Sequence, residues 1–105
     1  MMKQIINGRM YNTVTADLVA DVSCGSDYRS DFRWDNTALY RTKKGAFFLA
    51  GEGGPLSRWS RRLGSGDCYS GCGIRAIGPD EAAQLCERYA DLETYTTFFG
   101  EPVEA

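Results

Sequence analysis

Apolar residues flank the dipeptide Asn7-Gly8 on both sides, in Gln4-Ile5-Ile6 and in Arg9-Met10-Tyr11. Asn-Gly tolerates the positive φ values of a type I′ turn, so this pattern predicts a hairpin. Asn12-Thr13-Val14-Thr15 offers a cap for one helical turn, and residues 17–24 read as a strand, although Val14, Leu18 and Val22 also fit a period of four. Residues 25–36 are polar and turn-rich, a loop carrying Tyr28, Phe32 and Trp34. A second hairpin follows: strand 37–42, a turn at Lys43-Lys44-Gly45, and a returning strand 46–50 rich in residues that suit a pleated surface.

The run Gly51-Glu52-Gly53-Gly54 reads as the end of that strand, and Pro55 suits a first helical position. Leu56, Trp59 and Leu63 then share one face of a helix over 55–63, stopped by Gly64. A Gly- and Ser-rich loop over 65–73 leads to a short strand at 74–77. Pro79-Asp80-Glu81 opens the last helical segment, with acids at the positive end of the helix dipole. Its buried stripe runs through Ala82, Leu85, Cys86 and Tyr89, and Asp91 recaps a final helix through Leu92, Tyr95, Phe98 and Phe99 that Gly100 stops. The expectation is an α+β fold: a small antiparallel sheet of short hairpins, a short central helix and a C-terminal helical segment. With 105 residues and 43% hydrophobic content, residues 1–105 read as one domain with one core's worth of apolar mass.

Charge divides the chain. Residues 1–75 carry eleven Lys/Arg against seven Asp/Glu, whereas residues 76–105 carry seven acids against the single Arg88. No stretch approaches the roughly 18 apolar residues that span a bilayer, and the start has no apolar core of a signal peptide. The expected compartment is the cytoplasm, where Cys24, Cys68, Cys72 and Cys86 are read as thiols. Histidine is absent, which removes the commonest general base and metal ligand.

Candidate chemistry is sparse. Cys68 and Cys72 have a spacing compatible with zinc, but Cys24 and Cys86 would have to complete the site, and the paired C-x-x-C pattern is missing; buried thiols serving as small hydrophobes are the favoured reading. The glycines at 51–54 lack the Lys-Ser/Thr pair of a phosphate loop, and Glu52 would repel an anion. Arg58, Arg61 and Arg62 fall on the polar side of the expected helix, with Lys43 and Lys44 nearby; they could hold backbone phosphates, or form a solvated face. Asp80, Glu81, Glu87, Asp91 and Glu93 form an acidic helical surface that could imitate a row of phosphates, or serve helix solubility alone. Nucleophile and base do not occur together in any recognisable setting, so no catalytic residues are assigned.

Three stretches together resemble a known group: Gln4-Ile5-Ile6-Asn7-Gly8-Arg9-Met10-Tyr11-Asn12-Thr13; the segment from Leu39-Tyr40-Arg41 through Phe47-Phe48-Leu49 with Gly51-Glu52-Gly53-Gly54; and the ending Ala90-Asp91-Leu92-Glu93-Thr94-Tyr95 with Phe98-Phe99-Gly100-Glu101. Their order and spacing resemble a family of small bacterial proteins carried by phages and other mobile elements, associated with anti-CRISPR proteins acting on type I (Cascade) systems. Most of the chain is covered; residues 57–73 are the gap. The resemblance implies a stoichiometric inhibitor that binds a host defence complex in the bacterial cytoplasm, with no catalysis; the residues themselves lead to an expectation of no cofactor, no metal and no membrane partner. The residues add that Asp80, Glu81, Glu87, Asp91 and Glu93 are the expected contact surface. The alternative is a small nucleic-acid-binding protein using Arg58, Arg61 and Arg62.

Overall fold

Asn7 and Gly8 adopt φ values of 52° and 77°, the left-handed pair a type I′ turn requires. Around them, in a computed structural model that describes residues 2–23, 33–62 and 68–105 (Arg62 and Cys68 by backbone alone), the first hairpin forms. The elements in chain order are β1 (Lys3–Ile6), β2 (Arg9–Asn12), β3 (Asp17–Asp21), β4 (Asp35–Arg41), β5 (Phe47–Gly53), β6 (Arg61–Arg62), β7 (Cys68–Tyr69), β8 (Gly71–Ile77), α1 (Pro79–Tyr89) and α2 (Leu92–Phe99). The α+β class holds.

In the β1–β2 hairpin, Gln4 faces Tyr11 and Ile5 faces Met10. Strand alternation sends these pairs to opposite sides: Tyr11 is buried, while Ile5 and Met10 stay exposed. The Asn12 side chain accepts the Val14 N–H at 2.9 Å, and the Ala16 N–H reaches the Asn12 carbonyl at 3.1 Å. This turn delivers the chain into β3.

The main sheet is antiparallel throughout, in the order β3-β4-β5-β8. One face presents Leu39, Phe47 and Leu49 to α1 and α2, whose Ala82 and Cys86 are almost fully buried against it. The other presents Phe48, Ala50 and Ile74 to Tyr11 of the hairpin. Tyr11 meets Phe48 edge-on with ring centroids 5.4 Å apart. A bulge between Leu18 and Ala20 allows the neighbours Val19 and Ala20 both to join the helix-side core. Gln4 tethers the hairpin to β8 by accepting the Ile74 N–H at 3.3 Å.

Pro79 opens α1 with Asp80 and Glu81 in the first turn. Asp91 caps α2 by accepting the Thr94 N–H at 2.8 Å, and Gly100, with φ 86°, ends it. Phe99 stacks on Phe47 at 5.2 Å, and the Arg41 guanidinium lies 5.5 Å from the Phe98 ring centroid. Leu85 and Phe98 pack against the core as expected. Tyr89 does not join the stripe; it is exposed at the helix edge.

The expected central helix is replaced. Residues 55–59 form turns, and β6 then pairs with β7; Leu63 and Gly64, the expected end and stop, lie outside the described residues. The reason is visible in the glycines. β5 does not stop before Gly51 but continues to Gly53, with Gly51 opposite Gly73 and Gly53 opposite Gly71. These four glycines share one face, and at Gly53 and Gly71 the missing side chain leaves room for the chain to cross it. A Cβ on Gly53 would strike the Ser57 side chain, one on Gly71 would overlap the Trp59 carbonyl oxygen, and one on Gly73 would lie 3.6 Å from the Trp59 ring. Arg58 and Trp59 turn inward to long-range partners, while Leu56 is 59% exposed, so the apolar spacing does not mark a packed helical face. Of the expected loop, Trp34 is described and half-buried; Tyr28, Phe32 and Cys24 lie outside the described residues.

Candidate functional site

Asp80 and Glu81 in the first turn of α1, and Asp91 and Glu93 at the start of α2, sit where capping and helix dipoles favour acids; Glu87, in the last turn of α1, does not. All five (Asp80, Glu81, Glu87, Asp91 and Glu93) are exposed. At about 100° per residue, Asp80 and Glu87 fall within roughly 20° of one line along α1, whereas Glu81 is turned roughly 100° away from Asp80. Glu81 lies 3.7 Å from the Arg75 guanidinium. Glu87 and Asp91 border one recess of about 260 Å³, floored in part by Ala90 and Tyr95. Glu81 and Glu87, together with Arg88, border a second recess, so the five acids are spread over the exposed surface of α1 and the start of α2 rather than gathered on one line. The Thr94 backbone N–H, then its hydroxyl, hold the Asp91 carboxyl below the ordinary carboxylate range. Among the described residues, no ion pair engages Asp80, Glu87 or Glu93.

The proposed arginine face is not assembled. Arg58 donates from Nε to Asp35 Oδ2 at 2.8 Å and from a terminal nitrogen to the Val22 carbonyl at 3.0 Å. The Asp35 side chain is 1% exposed. It also accepts from the Thr37 hydroxyl, which in turn accepts the Trp59 indole N–H at 2.8 Å. Arg58 is thus committed to a buried polar chain that locks the 55–60 crossing to β4. With the helix gone, Arg58 and Arg61 no longer share a helical face; the Arg62 side chain lies outside the described residues.

Lys43 and Lys44 find different company. Together with Arg9 they border a cleft of about 560 Å³ between the β1–β2 hairpin and the β4–β5 turn, alongside Tyr11, Thr15 and Thr42. Lys43 is paired with Asp17 at 2.8 Å. Arg9 had no claim to attention in the sequence, because 34 positions separate it from Lys43; only the docking of one hairpin on the sheet joins them.

Cys72 and Cys86 do not come together. Cys86 is buried in the helix-side core, where desolvation pushes its thiol up. Cys72 is exposed and, two residues from Ile74 along β8, shares with it the face that meets the hairpin. Two ligands on opposite faces of a sheet cannot hold one zinc ion, so the four-cysteine arrangement is not built. Cys24 and the Cys68 side chain lie outside the described residues. Among the described residues, no group of three or more metal-ligating side chains occurs, and no helix is long and apolar enough to cross a membrane. Comparison of the chain with protein-family models, with curated proteins and with solved structures finds no match.

Proposed function

We propose that this protein is a stoichiometric, non-catalytic inhibitor from a phage or mobile element, acting in the bacterial cytoplasm on a host CRISPR-Cas complex. Its contact surface is the acidic C-terminal helical pair, which competes with nucleic acid for a basic channel on the partner. The observation that carries the reading is the exposure of all five acids, Asp80, Glu81, Glu87, Asp91 and Glu93, in a segment holding seven acids and one arginine. Complementary fields of this kind speed encounter and discriminate between partners. The resemblance of the hairpin, central-strand and closing segments to phage-borne inhibitors points to the host defence complex. Direct nucleic-acid binding through Arg58 is disfavoured, since its guanidinium is spent inside the fold.

The test is Asp80→Lys/Glu87→Lys/Glu93→Lys, which spares the Asp91 cap. A type I interference assay in cells, and competition with nucleic acid for the purified complex, should show at least a tenfold loss with the circular dichroism spectrum intact. Full inhibition by the triple variant overturns the acidic-surface reading. Failure of the unaltered protein to inhibit any type I system overturns the target.

A further inference from the structure

The cleft between the two hairpin tips has features that the inhibitory reading does not use. Three cations border it, from Arg9 at the start of β2 and from Lys43 and Lys44 in the β4–β5 turn, and no carboxylate lines it. Asp17 neutralises Lys43 from outside the lining. Among the described residues, no ion pair engages Arg9 or Lys44, so two positive charges converge on a concave space without a counter-charge. Like charges held in a concavity raise the local potential and favour an anion there.

Donor chemistry narrows the anion. Arg9 offers a planar fork suited to two oxygens of one group, and Lys44 a point charge for another. The Thr42 hydroxyl oxygen already accepts the Ala46 N–H at 3.0 Å, which leaves its own hydrogen to donate. Tyr11 is buried against Phe48 and forms one wall of the cleft, and Met10, 58% exposed, flanks the site. A single carboxylate would answer one of the two uncompensated charges; adjacent phosphates answer both. The volume, about 560 Å³, falls within the range of small-molecule sites. A long strand of nucleic acid would need a cationic track beyond the cleft, and the chain as a whole carries a net charge of −2.

We propose that the cleft lined by Arg9, Lys43, Lys44 and Thr42 binds a small ligand bearing two or three adjacent phosphates, of nucleotide size. The site lies on the hairpin side of the sheet, away from the acidic helices, and does not depend on the inhibitory function.

Isothermal titration calorimetry on the full chain at low salt, with pyrophosphate, ATP and a short oligothymidylate as probes, tests it. Pyrophosphate and ATP should bind, with affinity falling as salt rises. Arg9→Gln/Lys44→Gln should weaken both at least tenfold, while Arg61→Gln, outside the cleft, should leave both unchanged. Arg9 and Lys44 are exposed, so the double variant should melt with the unaltered protein, and thermal unfolding checks this. Binding of neither probe overturns the proposal, as does binding indifferent to the double variant. Oligothymidylate binding that exceeds ATP and tightens with length overturns the small-ligand source in favour of a strand's backbone phosphates.

Discussion

Replacing Arg58 with alanine separates a structural arginine from a ligand-binding one. In the folded protein its guanidinium contacts a carboxylate whose side chain is 1% exposed and the backbone carbonyl of the buried Val22. Alanine removes both contacts and leaves the Asp35 charge in a site built around a cation. Breaking a buried pair from one side costs about 3–5 kcal/mol, because the remaining charge is desolvated without compensation. Against a total stability on the order of 5–15 kcal/mol, that is a large share. For a chain of this length it lowers the melting temperature by at least about 12 °C and the urea midpoint by roughly 2 M. Urea titration followed by circular dichroism measures it, with Lys43→Ala as comparator: that pair with Asp17 is exposed on both sides and should cost no more than about 1 kcal/mol. The double variant Asp35→Asn/Arg58→Met removes both charges while the new amide oxygen still accepts from Thr37, and should recover part of the loss. A cost below about 1 kcal/mol for Arg58→Ala would refute the buried-network argument and return Arg58 to the candidate nucleic-acid face.

Gly71→Ala should destabilise the fold by about 1–3 kcal/mol in thermal unfolding, since its Cβ meets the Trp59 backbone rather than a movable side chain; an unchanged melting temperature would contradict the crossing described at 55–60. In acid, the carboxyls of Asp21, held down by the Ser23 hydroxyl and N–H, and of Asp91, held down by Thr94, bind protons less readily folded than unfolded. Their contribution is therefore complete above the ordinary value of 3.8 and is lost as pH falls through the lowered folded values; Asp21→Asn and Asp91→Asn should each flatten the fall in urea midpoint below pH 4, and slopes equal to the unaltered protein would refute it. Iodoacetamide labelling with peptide mapping should modify Cys72 readily and leave Cys86 protected until the protein unfolds; equal rates under native conditions would contradict the placement of Cys86 in the core.

Local chemistry made several elements readable in the sequence. Asn7-Gly8, Lys43-Lys44-Gly45, Asp91 and Gly100 each act within a few residues of their own position, and each turn, cap or stop forms as the residue type demands. The segment 55–63 misled because its decisive partners are remote: Trp59 answers to Thr37, and Arg58 to Asp35 and Val22. The glycines misled in the same way. Spaced by two in 51/53 and again in 71/73, they look like breakers when read singly and like one cleared face when the two strands are set side by side. That repeated spacing was the available signal. Of the acidic surface, exposure was legible, but the Arg75 partner of Glu81 and the recesses that Glu87 shares with Glu81 and with Asp91 needed the fold. The cationic cleft was not legible at all, since Arg9 and Lys44 belong to different hairpins.

The bulge in β3 has a consequence for how the sheet meets other chains. An outer strand normally displays a regular row of unpaired amides and carbonyls, a template on which another strand can add itself and begin aggregation. Here that row is broken between Leu18 and Ala20, and acids stand at both ends of the strand, Asp17 and Asp21. On the opposite margin, β8 has its Ile74 amide already occupied by Gln4. Each margin is thus interrupted by a different device, and both work against the addition of a further strand to the four.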